Sequence, residues 1–162
     1  MKFSTKVSDA VHILAFIALN RNEALTSQRI AESIRTNPGC VRQIMGSLRR
    51  YGLMTSVQGH ARPALSRAPA GISLLDIYRA VEGGKPLLHL DTHTNPECGV
   101  GVNIQLALQD YFDRVQDRAE DEMSRITLQD VLDRYEEKLR LLPSGNTHAR
   151  KGRTAAAQQT ES

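Results

Sequence analysis

Tryptophan is absent from the 162 residues, and all aromatics together make up only 4% of them. That leaves too few flat rings for the stacking platforms that hold single-stranded nucleic acid. The two cysteines, Cys40 and Cys98, are too few and too distant in sequence to read as a disulfide framework, which fits a reducing compartment. No apolar run is long enough to span a bilayer: Val11 to Leu19 is far too short, follows Asp9 and is interrupted by His12. Lys2 and Lys6 give this run the outline of a signal peptide, but no convincing small-residue cleavage site follows, so a soluble cytoplasmic protein without membrane association is expected. Also missing are a phosphate-binding glycine-rich loop, a nucleophile elbow and a recognisable frame of paired acid–base carboxylates.

Charge is present but uneven. The net charge is only +3, yet residues 1–86 hold 12 Lys/Arg against 5 Asp/Glu, while residues 101–142 hold 6 against 10. The basic half is the half suited to nucleic acid. Length and a 40% apolar content correspond to one ordinary domain with an extension.

The stretch Thr26 to Arg67 carries the strongest pattern. Thr26 is a candidate N-cap, followed at helical spacing by Ile30, Ala31 and Ile34, which predicts a short helix ending near Arg35. Asn37 is a second N-cap candidate with Pro38 at the first helical position, where its missing N–H is harmless. Val41, Ile44, Met45 and Leu48 then form one apolar stripe, and Gly52 stands where a left-handed stop is expected. Opposite the stripe lie Gly39, Arg42, Gln43, Gly46, Arg49 and Arg50, a face without an acidic residue. Leu53 to Val57 is β-prone, Gly59 to Pro63 turns, and Ala64 to Arg67 can pair back. Two short helices and a hairpin in this order predict a winged helix-turn-helix.

Around it, Ser4 or Thr5 can cap a first helix reaching about Leu19. Phe3, Val7, Val11, Leu14 and Ala18 lie on one face, widened by Ile13, Phe16 and Ile17, so this helix is expected at the centre. Ser73 caps a helix from Leu74 to Val81 that Gly83 and Gly84 end. A loop over 85–99 precedes the longest helix, Val102 to Ser124, whose stripe of Ile104, Leu108, Tyr111, Phe112, Val115, Ala119 and Met123 predicts pairing with a second copy. Thr127 caps a last helix, Leu128 to Leu141, and the Gly-, Ser-, Ala- and Gln-rich tail from 143 is expected to be disordered.

The fold class is thus mainly α with a small β-hairpin: a winged helix-turn-helix domain (1–84), a sensory or linker loop (85–101), dimerisation helices (102–142) and a tail (143–162). This order, together with ISLLDIYRAVEG over 72–83 and NPECGVG over 95–101, resembles the Rrf-type (Rrf-two) family of bacterial winged helix-turn-helix transcription regulators, in its branch with a short wing and a single loop cysteine. The resemblance implies homodimers that pair through the long helix, present two winged heads to adjacent major grooves, and repress or activate nearby promoters. The family's iron–sulfur members hold a cluster with three closely spaced loop cysteines. Here only Cys98 lies in that loop, so no cofactor is expected, and a ligand set of His89, His93 and Cys98 has no second shell that can be named. The family's Gly-Gly-Tyr wing turn is replaced by HARPA.

Arg42 and Gln43 are therefore the expected base readers, through their hydrogen-bond forks to guanine and adenine. Ser27, Gln28, Asn37, Arg49, Arg50 and Lys6 are expected at phosphates, and His60 and Arg62 in a minor groove. Cys98 is the sensor candidate for an oxidant or small effector. Cys40 is either a second thiol switch or a small residue packed beside Val41, the latter preferred. The expected function is a sequence-specific regulator of double-stranded DNA, a homodimeric repressor on a pseudo-palindromic operator. The alternatives are a thiol or metal enzyme using Cys98 with His93, and a helical adaptor that does not bind DNA.

Overall fold

A computed structural model describes residues 4–21, 23–56 and 62–141. His60, Phe3, the wing turn and the tail from 143 lie outside the described residues. Six α-helices, one 3-10 turn and one hairpin follow in the order α1 (Lys6–Leu19), α2 (Ser27–Ile34), α3 (Pro38–Arg50), β1 (Met54–Thr55), β2 (Ala64–Leu65), the turn Pro69–Gly71, α4 (Leu74–Glu82), α5 (Gly99–Arg125) and α6 (Leu128–Leu141).

The first helix sits where its apolar circumference requires. Ala10, Ile13, Leu14 and Ile17 are buried, with Val7, Val11, Phe16 and Ala18 partly covered. Its buried centre is displaced from the expected Val7–Val11–Ala18 line because α2, α3, α4, α6 and β2 surround it unequally. Thr5 occupies the N-cap position without a side-chain cap bond. Its hydroxyl donates instead to Asp9 Oδ2 at 3.0 Å, and Ser4 Oγ donates to Glu82 at the end of α4.

The two capping signals of the helix-turn-helix are fulfilled. Arg29 N–H donates to Thr26 Oγ1 at 3.2 Å, and Cys40 N–H donates to Asn37 Oδ1 at 2.9 Å. Between the helices, Arg35 takes a left-handed conformation (φ 60°) that usually falls to glycine or asparagine. Thr36 N–H closes the turn on Ala31 O at 3.0 Å. Gly52 supplies the second left-handed stop (φ 81°), and Leu53 N–H returns to Leu48 O at 2.9 Å.

The hairpin is shorter than the sequence suggests. Its ladder pairs Met54 with Leu65 and Thr55 with Ala64, and Ser66 N–H reaches Leu53 O at 3.1 Å. It cannot run on through Arg67, because the residue that would face Arg67 in this register is Gly52, whose left-handed conformation (φ 81°) ends α3.

The long helix starts at Gly99, not Val102, although Gly99 and Gly101 are weak helix formers. Val102 N–H already closes on Cys98 O at 3.2 Å. At 27 residues it extends roughly 40 Å. The boundary expected at residue 102 is crossed by the core, because α6 turns back from α5: Leu128 and Leu132 join the cluster formed by α1, α3 and α4. Paired bonds fix this return, Leu74 N–H to Ile126 O and Leu128 N–H to Ile72 O, both 2.8 Å. Reciprocal caps stiffen the two helix starts there, Ser73 with Asp76 and Thr127 with Asp130. The bonds from Thr127 hold the Asp130 carboxyl below its ordinary range.

Leu128 is 1% exposed and anchors this return. Leu128→Ala should lower unfolding free energy by about 2–5 kcal/mol, cavity included, in a urea titration at fixed protein concentration; a loss below about 1 kcal/mol would show that α6 contributes little to the core.

Candidate nucleic-acid interface

The face of α3 turned away from the core carries Arg42, Gln43, Arg49 and Arg50, all exposed, while Val41, Ile44, Met45 and Leu48 are buried behind it. Amphipathic burial alone therefore decides which side chains face outward. Among the described residues, no carboxylate forms an ion pair with these arginines. Arg42 Nη1 donates to Ser27 Oγ at 3.3 Å, Arg49 Nη1 to Ser56 Oγ at 2.6 Å, and Arg50 Nη2 to Ser47 Oγ at 3.0 Å. A hydroxyl orients a guanidinium without cancelling its charge, so the full attraction for a phosphate or guanine edge remains. Several arginines elsewhere are paired with acids, among them Arg29 with Glu23, Arg79 with Glu120 and Arg134 with Glu137.

The start of α3 is stiffened by Asn37. Its Oδ1 accepts from Cys40 N–H, and its Nδ2 donates to Cys40 Sγ at 3.2 Å. A Cβ on Gly39 would stand 2.9 Å from that same Oδ1, so the glycine leaves the cap its room. Gly46 is under no such constraint, since a Cβ there would meet Arg50 Nη1 at an ordinary contact distance of 3.5 Å. The packed role preferred for Cys40 is overturned: its side chain is exposed beside Asn37, since Val41, one position on, already fills the core.

The remaining candidates are dispersed. Ser27 and Arg42 meet across α2 and α3, but Gln28 donates to Glu32 within its own helix at 3.0 Å. Lys6 is exposed at the first turn of α1, and Arg62 is exposed before β2. Sequence reasoning missed Ser47 and Ser56 as arginine partners. The i, i+3 spacing of Ser47 and Arg50 was available as a signal, whereas Arg49 and Ser56 meet only once the chain turns at Gly52.

The comparisons bear on this surface. A family model described as Rrf2, iron-dependent transcriptional regulator, matches residues 3–134. The chain belongs to the Rrf2 family. It is 37% identical over 129 residues to a Bacillus subtilis protein named as an HTH-type transcriptional regulator, YwnA, spanning 80% of this chain and 96% of that one. Among solved structures it resembles a crystal structure described as a DNA-binding protein, at 36% identity and a TM-score of 0.64 over 78% of this chain and 98% of that one. It shares the fold of the global cysteine regulator CymR of B. subtilis at 23% identity and a TM-score of 0.59, over 82% and 97% of the two chains. The Rrf2 chain is thus a winged helix-turn-helix DNA-binding regulator.

The iron of the family description is not matched by this donor set. A thiolate cluster is held by four cysteines. This Rrf2 chain offers exposed Cys98 at the N-cap of α5, while Cys40 lies on the recognition helix. His93 Nδ1 lies 3.5 Å from Asp91 Oδ1, and among the described residues no group of three His, Cys, Asp or Glu side chains converges.

The long helix is attached to the winged domain through Gln116. Its Oε1 accepts from Leu87 N–H at 2.9 Å, and its Nε2 donates to Glu120 Oε1 at 2.8 Å. Glu120 in turn receives Arg79 at 2.7 Å. The bonds from Gln116 and Arg79 hold the Glu120 carboxyl below its ordinary range. The expected stripe divides accordingly. Leu108, Phe112, Ala119 and Met123 are half-buried, whereas Ile104, Tyr111 and Val115 are 52%, 61% and 48% exposed, with Val100 at 73%.

Loss of the cap should be measurable. Asn37→Ala should destabilise the domain by about 0.5–2 kcal/mol in urea titration, and Asn37→Asp by much less, because only the oxygen is needed; equal losses would place the effect in the amide-to-Sγ contact.

Proposed function

We propose that the chain acts as a homodimeric repressor that reads a pseudo-palindromic operator through the outer face of α3. The observation that carries this reading is the acid-free face whose three arginines are held, among the described residues, by serine hydroxyls. Arg42 and Gln43 stand near the start of the helix and reach base edges, Arg42 as a fork for guanine and Gln43 as a fork for adenine. Arg49, Arg50, Ser27, Gln28, Asn37 and Lys6 position the phosphate backbone, and Arg62 lies at the wing.

Pairing runs through α5. Val100, Ile104, Tyr111 and Val115 form an exposed apolar line on a helix with no fully buried residue, a state that a second copy relieves. Arg114, Asp117 and Arg118 flank it, with the Arg114 guanidinium 5.9 Å from the Tyr111 ring centroid. A two-fold axis sets such alternating charges against each other, which favours an isologous pair.

Fluorescence anisotropy with DNA from upstream of the gene, beside a scrambled duplex, tests the reading surface. Arg42→Ala should cost about 1–3 kcal/mol and relax sequence choice, whereas Arg50→Ala should weaken all sequences alike and flatten the salt slope by about one. If both substitutions are silent, the surface is wrongly assigned. Separately, Val115→Asp should shift sedimentation from dimer to monomer with the helical content retained, because the side chain is exposed in the single chain; an unchanged dimer would place the pairing elsewhere.

A further inference from the structure

A cavity of about 440 Å³ opens between the last turn of α1 and the inner edge of the wing. Its size is that of a site for a small organic molecule. Ile17 and Ala18 form one wall and Pro63 and Leu65 the other, completed by two alanines. Among the described residues, the polar side chains lining it are Arg21 and Arg67. No acidic residue lines it, and no ion pair holds either guanidinium among the described residues.

Both guanidiniums belong to exposed side chains at this hollow, and among the described residues no carboxylate pairs with either. The carbonyl end of α1 answers only part of that charge, because a helix terminus is worth about half an elementary charge. Part of that end is already satisfied, with Asn20 donating to Phe16 O through both its backbone N–H and its Nδ2. The stem of Arg67 lies over Gly71, where a Cβ would be 3.6 Å from Arg67 Cδ, so its guanidinium stands on a supported stem.

We propose that this cavity is a ligand site for a small organic carboxylate with an apolar body, the carboxylate received by Arg21 and Arg67 and the body placed between α1 and β2. Guanidinium groups match a carboxylate by paired N–H bonds, and the other lining side chains are apolar. The site is separate from the face of α3, and one of its walls is a wing strand, so an occupant touches both the central helix and the wing.

The test titrates the full-length protein with naphthoate and follows its fluorescence. Saturable binding of one naphthoate per chain is expected. The double variant Arg21→Gln, Arg67→Gln should weaken it by at least about tenfold, the size of losing charge-assisted hydrogen bonds. Ala68→Trp, which keeps both charges but fills the hollow from an exposed position, should also abolish it. Absence of saturable binding, or binding unchanged in either variant, would overturn the proposal. So would inorganic phosphate competing as strongly as an equal concentration of naphthoate, because charge alone would then account for the site. A double variant that loses affinity for every duplex, from a parent that never binds naphthoate, would reassign both arginines to the DNA backbone.

Discussion

Burial of α1 is the constraint on which the other elements depend. The recognition helix, the wing, α4 and α6 each seal a different side of Ala10, Ile13, Leu14 and Ile17. Burying a large aliphatic side chain is worth about 1.5–3 kcal/mol, so these few positions supply much of the core of a small domain. They also fix the orientation of α3. Val41, Ile44, Met45 and Leu48 must face the core, and the opposite face, with its arginines, has no choice but to face outward.

Arginine is used in two ways in this chain. Where it stabilises the structure, as in the Arg79–Glu120 pair that ties α4 to α5, its partner is a carboxylate. Where it lies on the outer face of α3, its partner is a serine hydroxyl, which limits rotamer freedom and leaves the charge available. Part of the side-chain entropy lost on binding is thereby lost already on folding, when the hydroxyl takes up the guanidinium.

Much of this was legible in the sequence because the signals are local. The caps at Thr26, Asn37, Ser73 and Thr127, and the stops at Gly52 and Gly83, depend on residues within one turn of each other, and each appears in the structure. Periodicity exposed the face of α3 in the same way. Hidden from the sequence were features made by return of the chain: α6 folding into the core, Ser27 meeting Arg42, and Gln116 joining the loop, α4 and α5. The early start of α5 was missed because Gly99 and Gly101 are weak helix formers, yet the first turn closes there through Val102 N–H to Cys98 O. Cys40 was misplaced because a cysteine is equally at home as a small core residue and as an exposed thiol.

Asn37 and Gly39 occupy, in effect, a single volume. The amide oxygen that holds the first turn of α3 stands within 2.9 Å of where a side chain at 39 would begin. A side chain at 39 would therefore have to displace that oxygen from its bond with Cys40 N–H, so what position 39 can carry depends on what stands at 37. The dependence runs one way: position 37 can lose its amide while glycine stays at 39.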